Sequence, residues 1–205
     1  MAAVREGILL VVSAPSGAGK TTLCRRLIDI FPDLYHSVSF TTRPRREGEQ
    51  DGVDYHFVDV AAFCQMIEQN AFVEWAQVHD NYYGTARQTL DEARQSGRDL
   101  LLEIDVQGAA QLKKQQVTGA YVFIAPPSLT ELEKRLRLRN TDSDEVIRRR
   151  IANARGELEQ AAWYDYLIVN DHLEEAALAL QGIVRAQRCR TSLVLSRHQA
   201  AWLTR

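Results

Sequence analysis

The chain has little of what would staple, anchor or electrostatically commit it. Its three cysteines, Cys24, Cys64 and Cys189, are an odd number spread over segments that read as helices, so neither a disulfide framework nor a zinc site is suggested. The five histidines, His36, His56, His79, His172 and His198, form no close ligand pair. Charge of one sign is also missing. With 25 basic and 27 acidic side chains the net charge is -2, which argues against broad binding of nucleic acid or anionic membrane. No apolar run approaches membrane-spanning length, and the opening Met-Ala-Ala-Val-Arg-Glu-Gly lacks the apolar stretch of a signal peptide, so a reducing cytoplasm is the expected compartment. Lysine is scarce: Lys20, Lys113, Lys114 and Lys134 stand against arginines clustered from Arg43 to Arg46 and from Arg135 to Arg150. Arginine's planar fork pairs phosphate oxygens two at a time, which lysine cannot do.

What the 205 residues do contain is an apolar strand running straight into a glycine-rich turn. Leu9-Leu10-Val11-Val12 leads through Ser13 into Ala14-Pro15-Ser16-Gly17-Ala18-Gly19-Lys20-Thr21-Thr22. Gly17 and Gly19 open backbone angles closed to other residues, so successive N–H groups can turn toward a polyphosphate. The helix expected from about Gly19 adds its positive end to the same anion. Lys20 supplies a mobile cation for terminal phosphates, and the Thr21 hydroxyl stands where a magnesium ligand is needed. The motif asks for glycine where this chain has Ala14. The loop survives that change if the position needs closeness rather than positive φ. Taken alone, such a turn also fits a strand-to-helix connection that binds nothing.

Apolar runs at 8–12, 100–104, 121–125 and 166–169 largely lack alternation, as do strands covered on both faces of a parallel sheet. Helix periods run over about 19–30, 107–115, 129–139 and 144–162, with a last one from 173 to near 190. Ser128-Leu129-Thr130-Glu131 is a capping box, and Asp171 is the expected cap of the last helix. This alternation predicts a three-layer α/β core with a parallel sheet and ligands at the carboxyl ends of its strands. Residues 39–85 break the rhythm with short alternating strands, Gly48 and Gly52, and read as an inserted mixed α+β lobe. The arginine-rich stretch 135–155 reads as a helical lid. The core then comprises 4–38, 86–134 and 156–190, and residues 191–205 continue the helix or form an interface segment.

Four groups of side chains carry candidate chemistry. Arg43 and Arg46 can converge on one phosphomonoester if the Pro44 turn folds them together, with the phenols of Tyr55 and Tyr83 as further donors; a solvated basic loop is the other reading. Glu74, beside Trp75 in a run that should be half buried, has the shape to accept the N1–H and exocyclic amine of guanine at once, a pair adenine lacks. A strand-edge carboxylate facing water fits it equally. Glu103 and Asp105 close an apolar strand with the same parity, which puts two acids on one face, where a magnesium ion or donors must stand between them unless both are structural. Arg135, Arg139, Arg149 and Arg150 fall on helix, where a closing lid would bring them to a transferring phosphoryl group. Salt bridges to Glu131, Asp144 and Glu145 are their alternative.

The segments Ala14 to Thr21, Ser39-Phe40-Thr41-Thr42-Arg43, Gly52-Val53-Asp54-Tyr55, Glu74-Trp75-Ala76, Asn81-Tyr82-Tyr83-Gly84, Leu102 to Gly108 and Ile168-Val169-Asn170-Asp171 stand in the order and spacing of the guanylate kinases, which the chain resembles from about residue 8 to 190. The resemblance implies transfer of the ATP γ-phosphoryl group to GMP, with Mg2+, by a core that closes a GMP-binding lobe (39–85) and a lid over both substrates. It implies that residues 14–22 hold ATP with Arg139 and Asn170 flanking the adenine. It implies that Ser39, Glu74, Thr85 and Glu103 read guanine, and that Arg43, Arg46, Tyr55 and Tyr83 hold the GMP phosphate. Lys20, Arg43, Arg135 and Arg150 then serve the transfer, and Thr21 and Asp105 face the metal, directly or through water. Glu103 stands where some members carry aspartate, Thr85 where some carry serine, and Leu138 and Asn140 where glycines are common. Rival readings are a non-catalytic interaction module of the same shape and a kinase for a phosphorylated sugar. A GTPase is weaker, since no Asn-Lys-x-Asp segment follows the loop.

Overall fold

The computed structural model describes residues 7–78, 80–138 and 143–203. In chain order the elements are β1 (Leu9–Ser13), α1 (Lys20–Ile30), β2 (Leu34–His36), β3 (Phe40–Thr41), β4 (His56–Phe57), α2 (Val60–Glu68), β5 (Phe72–Val78), β6 (Asn81–Ala86) and α3 (Arg87–Ser96). They continue with β7 (Asp99–Glu103), α4 (Val106–Lys114), β8 (Ala120–Ala125), α5 (Leu129–Leu138), α6 (Asp144–Glu159), β9 (Tyr166–Val169), α7 (Leu173–Arg188) and α8 (Thr191–Leu203).

Five strands in the order β2-β7-β1-β8-β9 form one wholly parallel sheet. Its central strands are continuously apolar because both faces are covered. Leu10, Val12, Leu101, Val122 and Ile124 pack with Leu23 and Leu27 of α1 and Leu180 and Val184 of α7. The alternate residues Val11, Leu100, Leu102, Tyr121 and Phe123 pack with Leu90 of α3 and Ala109 and Leu112 of α4. The three layers expected from the alternation are therefore present, and all five parallel strands point their carboxyl ends the same way.

A second sheet, β4-β3-β6-β5, lies in the 39–85 region and is mixed, with β3 and β4 parallel and the other pairs antiparallel. Its apolar side closes on α2, whose Phe63 stacks on Phe72 and Tyr82 at centroid separations of 4.5 and 5.4 Å. Helices α5 and α6 pair through Leu132, Leu136, Ile147 and Ala154. Arg139, between them, lies outside the described residues.

Several local expectations are corrected. Asp171 does not cap α7: His172 precedes the helix, and no side chain caps it. The stretch 144–162 is not one α-helix, since α6 ends at Glu159 and a 3-10 turn, Gln160–Trp163, follows. The last helix breaks at Cys189 and restarts as the separate α8. The short β2 and the helices α2 and α3, where the lobe rejoins the core, left no signal that was read from the sequence.

One buried polar node ties the strand ends opposite the ligand side. Asp99, 2% exposed, accepts the Ile8 N–H at 2.9 Å and the Arg188 Nε–H at 2.7 Å, while Arg188 also reaches Asp33 at 3.0 Å. Replacing Asp99 with alanine strips the buried Ile8 amide of its acceptor and Arg188 of its closest partner. Asp99→Ala is expected to lower unfolding free energy by about 3–5 kcal/mol, read by urea denaturation, and Asp99→Asn, which keeps an acceptor, by visibly less; equal losses would mean that the charge of Asp99 accounts for the whole effect.

Candidate active site

Where β1 ends, the chain turns through the glycine-rich loop into α1. Gly17 and Gly19 adopt φ of 95° and 96°, angles that a side chain would strain, and the Ala18 N–H closes the turn on the Pro15 carbonyl at 3.0 Å. Ala14 is absent from the positive-φ residues, so the position needs closeness and not torsion, and alanine serves. Helix α1 starts at Lys20 with no side-chain cap on its free amides, whereas Asp59, Asp105 and Ser143 cap α2, α4 and α6. An uncapped, glycine-preceded helix start is an anion site. Lys20 Nζ is parked on the Ile104 carbonyl at 2.7 Å.

The loop forms one wall of a cavity of about 800 Å³ that runs from Ala14–Thr22 across the ends of β1 and β7 to β5 and β6, with α6 along its side. Ser39, Tyr55, Glu74, Tyr83, Glu103, Asp105 and Arg150 all line it. Glu74 is 4% exposed, and burial above all raises its carboxyl from 4.5 to about 7, with the charge of Asp105 adding to the rise and Thr85 and Lys20 opposing it. Thr85 is its cross-strand partner, fully buried, with a hydroxyl that makes no hydrogen bond of ordinary geometry. The water-facing alternative for Glu74 is excluded by this burial.

The two acids after Leu102 are not on one strand face. β7 stops at Glu103, and Asp105 leaves the strand to cap α4, accepting the Gly108 N–H at 2.9 Å. The shared parity therefore fails, because parity holds only within an extended strand. Glu103 accepts from the Thr21 hydroxyl at 2.5 Å and lies 3.7 Å from His36 Nε2, while Asp105 lies in the field of Glu74. The structure thus sets Glu103 on the phosphate-loop side and Asp105 on the Glu74 side, the reverse of the expected arrangement.

On the lobe, Arg43, Tyr55 and Tyr83 converge. The Arg43 guanidinium sits 5.4 Å from the centre of the Tyr55 ring, Tyr55 and Tyr83 meet edge to face at 6.0 Å, and Glu49 holds Arg43 at 2.7 Å. Burial, with Glu103 and Tyr83 adding, pushes the Tyr55 phenol up to about 12, so it remains a donor at neutral pH. Arg46 is exposed and offers only its backbone N–H to Glu49. Arg150 reaches Ser16 of the loop at 3.2 Å. Arg135 instead pairs with Glu131 and donates to the Asn170 carbonyl at 3.0 Å. Asn170, 5% exposed, spends its amide on the Ala18 carbonyl at 2.7 Å and braces the loop from behind. Sequence reasoning missed Glu157 and Asn153 of α6, which also line the cavity. Burial raises the Glu157 carboxyl, and Asp105 raises it further; no motif marks a lone acid on a helix face.

The raised Glu74 carboxyl makes the ligand-free protein pH-sensitive. Between 4.5 and about 7 the folded state keeps a proton that the unfolded chain has lost, so this group's contribution falls as pH rises through that window. The melting temperature of the native protein should drop relative to Glu74→Gln from pH 4.5 to 7 and the gap should level off above it. Parallel curves would show a carboxylate with ordinary solvation.

Comparison with known proteins agrees with this geometry. A family model described as guanylate kinase matches residues 6–187. The guanylate kinase of Syntrophotalea carbinolica is 60% identical over 192 residues, covering 94% of this chain and 91% of that protein. That of Geobacter metallireducens is 55% identical over 191 residues, covering 93% and 94%. The crystal structure of guanylate kinase from Anaplasma phagocytophilum superposes with a TM-score of 0.75 at 34% identity, covering 91% of this chain and 89% of that one. With the glycine-rich loop, the buried Glu74 and the phenols of Tyr55 and Tyr83 facing one cavity, and with the family match over residues 6–187, the chain belongs to the guanylate kinase family.

Proposed function

We propose that the chain transfers the γ-phosphoryl group of ATP to GMP, giving ADP and GDP, and that the two nucleotides meet in the cavity between the phosphate loop and the lobe. The observation that carries this reading is the sharing of one cavity by the uncapped start of α1 and the buried carboxylate of Glu74. Both line it, and we assign the first to phosphate and the second to paired base donors. Neither the interaction-module nor the sugar-phosphate reading uses both.

Residues 14–22 cradle the ATP phosphates, with Lys20 moving from the Ile104 carbonyl to the terminal phosphates. Glu74 and Asp105, helped by Ser39 and Thr85, accept the donors on the guanine edge. Arg43 and Arg46 with the phenols of Tyr55 and Tyr83 hold the GMP phosphate, so that one of its oxygens attacks the γ-phosphorus as the bridging oxygen leaves with ADP. Arg150, already on the loop, stabilises the equatorial oxygens, and Arg135 joins it by exchanging Glu131 for phosphate. Asn170 we assign to bracing the loop rather than flanking adenine. The adenine role of Arg139 remains our expectation from the family.

The donors at the Thr21 end suit Mg2+. A hydroxyl and a carboxylate, Thr21 and Glu103, meet beside the loop, and among the described residues no cluster of three acidic, histidine or cysteine ligands competes, as befits an ion held mainly by phosphates and water. When bound, the ion neutralises charge on the phosphates. No helix among the described residues is long and apolar enough to cross a membrane, and a reducing cytoplasm is the compartment we assign to the three free thiols.

A coupled assay with ATP and GMP, AMP, CMP or UMP is expected to show turnover of GMP far above the others; equal turnover of AMP overturns the guanine assignment. Lys20→Ala should lower turnover by about 10³-fold or more while calorimetry still detects GMP. Glu74→Ala should raise KM for GMP much more than for ATP, whereas equal shifts would make Glu74 structural.

A further inference from the structure

Strand β5 is an edge strand: β6 pairs with one side of it and no strand with the other. Its free edge is nevertheless satisfied around Glu74, by side chains of α4. The Gln111 side-chain amide donates from Nε2 to the Trp75 carbonyl at 2.5 Å and accepts the Trp75 N–H at 3.2 Å through Oε1. One turn later, Gln115 Nε2 donates to the Val73 carbonyl at 2.8 Å. The spacings match. Four residues of helix rise about 6 Å, and two residues of strand about 6.7 Å, so two glutamines at i and i+4 can mimic a neighbouring strand. Val73 and Trp75 are the residues on either side of Glu74.

The same stripe of α4 continues to Gly108. A Cβ built there would lie 2.2 Å from Glu74 Oε2 and 2.9 Å from its carboxyl carbon, so the carboxylate rests directly on a backbone that has no room for a side chain. Gly108 is also the residue whose N–H is held by Asp105. Gly108, Gln111 and Gln115 therefore form one seat for β5, and that seat sets where Glu74 stands relative to Asp105.

We propose that Gln111 and Gln115 are positioning residues for recognition of the acceptor's purine base: they lock β5 onto α4 so that the Glu74 and Asp105 carboxylates hold a fixed separation matched to adjacent donors on one base edge. The proposal rests on Glu74 reading guanine. It follows that the base-reading pair is set by α4, independently of the phosphate-binding side chains Arg43, Arg46 and Tyr55, which lie between β3 and β4. Covering an exposed strand edge against association is the alternative role for such glutamines, and it predicts no effect on choice of base.

IMP provides the probe, because its base keeps the N1–H and lacks the exocyclic amine. The ratio of kcat/KM for GMP to that for IMP therefore reads how well the carboxylates are placed. Methionine keeps the length and helix preference of glutamine and removes its hydrogen bonds. Gln111→Met is expected to lower the GMP:IMP ratio about fivefold or more, and Gln115→Met, which loses one bond rather than two, to lower it less, each with KM for ATP within about twofold of native. Should Gln111→Met fail to fold, Gln115→Met carries the same readout. A ratio unchanged in the folded variants, or equal losses with both acceptors alongside a lower melting temperature, overturns the positioning role. Glu74→Gln separates the two ideas. If it collapses the ratio while the methionine variants do not, the guanine reading stands and the proposal falls; if it leaves the ratio unchanged, the reading of Glu74 itself falls.

Discussion

Three consecutive residues where β7 ends tie the glycine-rich loop to the helix that carries β5. Glu103 accepts from Thr21, the Ile104 carbonyl holds the Lys20 ammonium, and Asp105 caps the helix on which β5 is seated. The strand-to-helix turn at 103–106 thus fixes the position of the glycine-rich loop on one side and of the seat of β5, with Glu74, on the other. A shift of that turn would move both together. Because β7 is buried between β2 and β1 in the parallel sheet, the turn inherits the rigidity of the most enclosed part of the molecule. The arrangement also explains why Asp105 leaves the strand. A carboxylate spent on capping α4 stays close to Glu74, while Glu103 stands beside Thr21.

Charge in the ligand-free cavity is distributed in two unbalanced regions. Glu74, Asp105 and Glu157 crowd acids on the base side, and burial raises the carboxyls of Glu74 and Glu157. The loop side presents free helix amides, Lys20 and Arg150. A nucleotide brings the missing charges to each side, base donors to the acids and phosphates to the cations. On the proposed function, binding relieves desolvation costs that the ligand-free protein sustains and favours the ionised form of Glu74.

The core was legible in the sequence because its signals are local. Continuous apolar runs marked β1, β7, β8 and β9, and the glycine pair with Lys20-Thr21 marked the loop, since each feature is set by burial on both faces or by backbone angles at named residues. Arg43, Tyr55 and Tyr83 converge as their residue types suggested, whereas Arg46, expected to join them, is exposed. What escaped was non-local. Whether Glu103 or Asp105 faces Thr21 depends on where the strand stops, a matter of one residue that periodicity cannot resolve. The role of Asn170 as a brace depends on a contact across 152 positions of chain. The glutamines of α4 look like ordinary solvent-facing helix residues until β5 is brought against them.

The arginines show a related division between residue type and partner. Arg43, Arg135 and Arg150 are each held by groups of this chain: Glu49, Glu131 with the Asn170 carbonyl, and Ser16. The salt bridge raised as an alternative to a phosphate role is real for Arg135, and Arg43, read alternatively as part of a solvated loop, is paired as well; neither pairing competes with the proposed role. The partly exposed Arg135–Glu131 pair contributes little to stability, and for either arginine a phosphate offers a doubly charged, bidentate partner in place of the carboxylate. The carboxylates hold the forks near the cavity in a limited set of geometries, lowering the entropy lost when phosphate replaces them. Arg150 differs because its partner Ser16 lies on the loop itself, so the role proposed for this side chain at the phosphates needs no rearrangement to bring it to the loop.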